Sequence, residues 1–204
     1  MAVTGHGMHH EVRGDGLRTI VLLPGFGSSI ESWAGVVPLL DGYRTVVMDL
    51  PGHAGSTGAR ADGDLPRPAE TVFDACAELD PTRFAVAGLS LGGAIAVRIA
   101  RDHPGAVTAV VGVMPWNAGG TAPGDPVIGA VHDAYGDMDA IIAGVTGISR
   151  DPVPLMYVVG GQDTVVDVDK QIADVRRVPG GRLVLLADAG HLACYEMPGV
   201  LAAV

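Results

Sequence analysis

A serine, an aspartate and a histidine each stand where an apolar run gives way to glycine. Ser90 lies in Gly88-Leu89-Ser90-Leu91-Gly92, Asp163 in Gly160-Gly161-Gln162-Asp163, and His191 in Asp188-Ala189-Gly190-His191. A serine hydroxyl is a poor nucleophile at neutral pH and needs a base within hydrogen-bond reach, itself oriented by a third group. These three residue types supply such a set: Ser90 to attack a carbonyl, His191 to take its proton, Asp163 to hold the imidazole. Asp167 and Asp169 are rival acids, but they fall at the start of the next helical stretch rather than at a strand end, and rank below Asp163.

The elements that must position these groups alternate regularly. Phe84 to Ala87 reads as a buried strand and Gly93 to Ala100 as a helix of small residues, so Ser90 sits on a sharp strand-to-helix turn. Pointing a serine out of such a turn forces an unusual backbone conformation and brings strand and helix close, which demands near-absent side chains two residues before and two after. Gly88 and Gly92 meet that demand. The backbone N–H of Leu91, at the helix N-terminus, is then placed to stabilise an oxyanion. The same theme opens the chain. Thr19 to Leu23 is an apolar strand, Pro24-Gly25-Phe26-Gly27-Ser28-Ser29 a glycine loop, and Ile30 to Leu40 an amphipathic helix. That loop can offer the N–H of Phe26 toward Ser90 as a second oxyanion donor. A dinucleotide fingerprint is the rival reading, with Asp49 as its acid, but its third glycine would fall on Ile30 and Pro24 is a poor start for that turn.

Further strands are expected at Arg44 to Leu50, Val107 to Met114, Leu155 to Val159 and Arg182 to Ala187, with helices at Pro68 to Leu79 and Val168 to Arg177. His9 to Arg13 reads as a short edge strand. Alternation of this kind predicts an α/β protein with a mostly parallel central sheet and helices on both faces. Asp49 and His53, polar residues at a strand's carboxyl end, look catalytic; the favoured reading is that they hold the turns of their own loop. His103 reads as a C-terminal helix residue. The alternation breaks from Pro115, and about 116–151 reads as a short lid outside the carboxyl ends of the strands, where α/β sheets bind ligands. Its glycines weaken its helices, which predicts a broad, shallow site. Trp116, Met114, Met138, Ile142 and Leu192 are candidate substrate-binding residues, each equally suited to ordinary core.

Size and charge bound the rest. A chain of 204 residues suits a single domain, and a formal charge of −10 disfavours nucleic acid and anionic membrane surfaces as partners. Two cysteines give no disulfide framework, and the first ten residues lack the pattern of a signal peptide, so the expected location is cytoplasmic. The stretch Ala106 to Met114 is too short to cross a bilayer. His6, His9 and His10 invite a metal reading, but no carboxylate or thiolate set lies nearby in sequence; a solvated start is expected, with no metal and no organic cofactor.

Taken together, Leu22-Leu23-Pro24-Gly25-Phe26, Asp49-Leu50-Pro51-Gly52-His53 with Ser56, Gly88-Leu89-Ser90-Leu91-Gly92-Gly93, Gly160-Gly161-Gln162-Asp163, and Ala189-Gly190-His191 with Glu196 and Pro198 resemble the α/β-hydrolase superfamily from Met8 onward. The resemblance implies Ser90 as nucleophile, His191 as base, Asp163 as its partner, and Phe26 with Leu91 as oxyanion donors. It implies a serine hydrolase acting on a small or medium, largely apolar ester, lactone or thioester through an acyl-enzyme. The alternatives it leaves open are carbon–carbon hydrolase, lyase, cofactor-free haloperoxidase or acyltransferase chemistry on the same triad, and a binding protein with little turnover. Three departures stand out. Pro24 replaces the usual histidine of the oxyanion loop, the lid is short, and the final helix is curtailed to about Pro198 to Val204, which favours self-association as a homo-oligomer.

Overall fold

The apolar β-formers of this chain become parallel strands because each run sends alternate side chains to opposite sheet faces, and both faces find cover. The computed structural model describes residues 2–59, 66–79, 83–116 and 153–204. Its strands are β1 (Ala2–Val3), β2 (His9–Arg13), β3 (Arg18–Leu23), β4 (Tyr43–Met48), β5 (Phe84–Leu89), β6 (Val107–Val113), β7 (Leu155–Gly160) and β8 (Arg182–Leu186). Among the described residues they form an eight-stranded sheet in the order β1-β2-β4-β3-β5-β6-β7-β8. β2 runs antiparallel to β1 and β4, and the pairs from β4 to β8 are parallel. The chain crosses from β4, on one side of β3, to β5 on the other. The crevice above β3 and β5 is therefore the switch point at which such sheets present their ligand sites.

Among the described residues the helices are α1 (Pro66–Glu78), α2 (Leu91–Asp102), α3 (Val168–Arg176), α4 (Ala193–Glu196) and α5 (Pro198–Ala203). From Leu91 to Ala100 every residue of α2 except Arg98 is buried, because its glycines and alanines let it lie flat on β5 and β6 while α1 covers its back. An amphipathic stripe would not suffice for a helix enclosed on so many sides. Two 3-10 turns, Ile30–Trp33 and Val37–Leu39, share the opposite sheet face with α5, over Ile20, Leu22, Ala85, Ala87, Val111 and Val113. A groove of about 320 Å³ remains between them. Val200 on α5, Val204 after it and Leu39 on the second 3-10 turn are exposed.

Three expectations need revision. The single helix expected over Ile30 to Leu40 is those two 3-10 turns. Gly35 abuts Pro198, whose Cβ would lie 3.1 Å from any Cβ at that position, and Pro38 has no N–H to continue a helix. β2 is not the edge of the sheet, since β1 pairs outside it. The start is solvated only in part: His6 is exposed, but His9 and His10 are both buried. The expected lid, including Met138 and Ile142, lies outside the described residues apart from Trp116. No described helix is long and apolar enough to cross a membrane.

Cys76 and Cys194 are free and buried, and burial pushes both thiols up from 9 to about 12. Because the thiolate is the reactive form, neither should be modified by a thiol reagent at pH 8 in the native protein, and both should react once it is unfolded in guanidinium. Mass spectrometry after labelling checks this; modification of either thiol without unfolding would show that the core opens locally.

Candidate active site

Ser90 leaves β5 at φ 51° and ψ −115°, a conformation that residues with a side chain rarely adopt. Backbone bonds on both sides hold it there. Its N–H donates to the carbonyl of Val113 at 2.9 Å, and its carbonyl accepts from Trp116 N at 2.9 Å and Ala94 N at 3.2 Å. A Cβ at Gly88 would overlap the carbonyl of Gly92, and one at Gly92 would overlap the carbonyl of Pro24. Gly93 is nearly as tight, with a Cβ position 2.9 Å from Gly88 O and from Pro115 Cβ. The Ser90 hydroxyl does not cap α2, although serine commonly caps a helix from this position.

Asp163 and His191 meet at the carboxyl ends of β7 and β8. His191 Nδ1 lies 2.8 Å from Asp163 Oδ2, with the aspartate side chain fully buried and the imidazole 14% exposed. Asp163 Oδ1 accepts from Val165 N at 2.7 Å and Val166 N at 3.1 Å, so the carboxylate is fixed by its own turn before it meets the ring. An ionised carboxylate only accepts, so Nδ1 carries the proton and Nε2 is left as the acceptor. The two loops are knitted together by Gly161 N to Leu186 O at 2.8 Å and Gln162 N to Ala189 O at 2.9 Å. Asp167 is instead the N-cap of α3, accepting from Lys170 N at 2.9 Å, and Asp169 sits exposed in the first turn of that helix. The ends of β5 and β7 are two strand spacings apart, about 10 Å, which places Ser90 and the Asp163–His191 pair on one sheet edge.

The loop after β3 reaches the same edge. A Cβ at Gly25 would stand 3.5 Å from Ser90 Cβ, so this backbone passes directly beside the serine. Phe26 is partly exposed and meets the ring of His53 edge-on at 5.2 Å. Leu91 is fully buried in the first turn of α2. Asp49 and His53 hold their loops, as the sequence reading favoured. The Asp49 carboxylate, 1% exposed, accepts from Ile30 N at 2.7 Å and Gly55 N at 2.9 Å and pairs with His9 Nδ1 at 2.6 Å. His53 Nδ1 donates to Pro51 O at 2.9 Å. Met114 and Trp116 are both buried, whereas Leu192 is nearly half exposed beside His191.

Two residues acquire roles the sequence reading did not assign. His9 is the buried partner of Asp49; a carboxylate ending an apolar strand needs such a partner, and that need was the available signal. Glu196 accepts from Gly190 N at 2.6 Å and from Leu192 N at 3.2 Å, clamping the backbone on either side of His191. Its spacing from His191 was visible, but a carboxylate five residues away says nothing of which amides it faces.

A family profile described as alpha/beta hydrolase fold matches residues 18–146. The chain belongs to the α/β-hydrolase family. Curated relatives include the dihydrolipoyllysine-residue acetyltransferase component of an acetoin cleaving system from Pseudomonas putida, 38% identical over 46% of this chain and 26% of that one. A pimeloyl-[acyl-carrier protein] methyl ester esterase from Methylococcus capsulatus is 40% identical over 45% of this chain and 34% of its own length. A 2-hydroxy-6-oxononadienedioate/2-hydroxy-6-oxononatrienedioate hydrolase from Pseudomonas putida is 32% identical over 59% of this chain and 44% of its own length. The matched part is thus between about a quarter and under half of each of these relatives. Among solved structures, 2-hydroxy-6-oxo-6-phenylhexa-2,4-dienoate hydrolase from Rhodococcus sp. strain RHA1 superposes with a TM-score of 0.80 at 18% identity, over 96% of this chain and 92% of that one. The shared architecture of this α/β hydrolase therefore extends well beyond the stretch that sequence alone aligns.

Gly88→Ala should destabilise the protein by about 3 kcal/mol or more, because the intruding methyl meets backbone rather than a movable side chain. Gly105→Ala, whose Cβ meets nothing within 4 Å, should be close to neutral. Asp49→Ala should cost about 3–5 kcal/mol, since it strands a buried histidine and two amides. Urea denaturation midpoints of the three variants check the ranking.

Proposed function

We propose that this α/β hydrolase is a serine hydrolase of carboxylesterase type, cleaving a small or medium, largely apolar ester, lactone or thioester through an acyl-enzyme. The observation that carries the reading is the Asp163–His191 contact of 2.8 Å on the same sheet edge as a serine held at φ 51°. Ser90 attacks the substrate carbonyl while His191 Nε2 takes its proton. The backbone N–H groups of Phe26 and Leu91 receive the developing oxyanion. As the tetrahedral intermediate collapses, His191 passes the proton to the leaving alcohol or thiol. Water, activated by the same nitrogen, then releases the acid and restores Ser90. Nucleophile, base, orienting acid and oxyanion donors all come from the chain itself.

The ester assignment is supported by the methyl ester esterase among the relatives, an enzyme named for cleaving an ester. The hydrolase of 2-hydroxy-6-oxononadienedioate favours a second reading, attack on a carbon–carbon bond next to a ketone by the same groups. Assays with p-nitrophenyl esters, lactones, acyl-thioesters and a vinylogous 1,5-diketone separate the two. Turnover of the diketone alone would replace the first reading with the second.

Ser90→Ala should retain the wild-type melting temperature and lose on the order of 10⁴-fold or more in kcat. A fluorophosphonate probe should label Ser90 in the wild type, and labelling at another residue would reject the assignment. Asp163→Asn should lower kcat by about 10³- to 10⁴-fold, because an amide favours the wrong imidazole tautomer. Asp167→Asn, altering only a helix cap, should stay within a few-fold of wild type. Equal losses in both variants would move the acid elsewhere.

A further inference from the structure

We infer that Gln171, on α3, is a positioning residue for the Ser90 turn, acting through the carbonyl of Pro115. This inference rests on the reading of Ser90 as nucleophile for its kinetic consequences, but not for its structural ones.

Gln171 is fully buried, and its Nε2 donates to Pro115 O at 2.6 Å. The amide orientation is forced, because a carbonyl oxygen can only accept and the other amide atom would repel it. Oε1 then points away, and it has no hydrogen-bond partner among the described residues. A buried, unpaired acceptor costs stability, so an apolar residue of the same shape would serve packing better. What the glutamine supplies is the single bond to Pro115.

That bond lies at a place where the backbone needs outside support. Met114, directly before Pro115, is held at φ 42°, a second non-glycine residue in the left-handed region one strand over from Ser90. Conformations of this kind persist only when their surroundings over-determine them. Three hydrogen bonds pin the segment: Met114 N to Val158 O at 2.8 Å, Gln171 Nε2 to Pro115 O at 2.6 Å, and Trp116 N to Ser90 O at 2.9 Å. The pyrrolidine of Pro115 is wedged between Gly93 on α2 and Gly112 on β6, at 2.9 and 3.0 Å from the Cβ positions those glycines lack. The last of the three bonds reaches Ser90 itself. α3 begins a few residues after Asp163, so Gln171 ties the element behind the acid to the backbone that fixes the serine.

The test is Gln171→Met, which keeps shape and removes the donor, with Gln171→Asn, one methylene too short to reach Pro115, as the second variant. Amide hydrogen exchange at Trp116 should accelerate about tenfold relative to Val158. The melting temperature of Gln171→Met should equal or exceed that of wild type. The rate of fluorophosphonate labelling and kcat should each fall about tenfold with KM within twofold, a split that a purely structural defect would not produce. Unchanged exchange at Trp116 in whichever variant folds would overturn the inference, as would accelerated exchange accompanied by unchanged kcat. If wild-type protein is neither labelled nor active, the hydrolase reading fails separately, and exchange at Trp116 still decides whether Gln171 holds the turn.

Discussion

The backbone of Ser90, at φ 51° and ψ −115°, is the constraint on which most of this molecule depends. Strain of this kind costs about 1–3 kcal/mol and must be offset by surrounding contacts. Here the offset comes from close approach. Glycines at 88, 92 and 93 let β5, α2 and the loop after β3 come so near that Cβ atoms would collide with backbone. The alanines that follow keep α2 flat against the sheet and, from Leu91 to Ala100, buried except at Arg98. The result is a serine hydroxyl relieved of any capping duty, beside a backbone so near that a Cβ at Gly25 would stand 3.5 Å from Ser90 Cβ.

Two aspartate–histidine pairs of nearly equal geometry occur in this chain, and their difference is instructive. His9 meets Asp49 at 2.6 Å and His191 meets Asp163 at 2.8 Å, each through Nδ1 and each with a buried carboxylate. Hydrogen-bond geometry alone would not tell them apart. His9 is packed so tightly against Gly55 that a Cβ there would lie 2.5 Å from its ring, and the pair braces β2 against the loops after β3 and β4. His191 keeps a partly exposed ring on a loop clamped by Glu196, at the edge where β5 ends. Location relative to the strained serine, rather than the strength of the pair, separates the bracing site from the candidate catalytic one.

The switch point between β3 and β5 explains why these loops converge. The Gly25–Phe26 loop, the Ser90 turn, Asp163 and His191 all follow parallel strands, so each emerges at a carboxyl edge. The sheet supplies the alignment, and the loops need only supply chemistry. Family membership and the close superposition on a solved hydrolase fit that division, since the architecture is retained where sequence identity falls to 18%.

Much of this was legible in the sequence because it depends on local rules. Strand, turn and helix around Ser90 follow from an apolar run, two glycines at fixed offsets and a small-residue helix. Asp163 and His191 stand out because polar residues at strand ends after glycine have few local uses. The rejection of Asp167 followed from its place at a helix start, where it proved to be the cap. Other features depended on contacts distant in sequence. The 3-10 turns over Ile30 to Leu39 arise partly because Gly35 meets Pro198, and the burial of His9 depends on pairing with an aspartate forty residues away. Gln171 reads as an ordinary polar helix residue until its side chain is found facing Pro115. Periodicity and turn chemistry act between neighbours and are written in the order of residues; the partner of a buried polar group is chosen by packing, and only the folded chain brings that partner within reach.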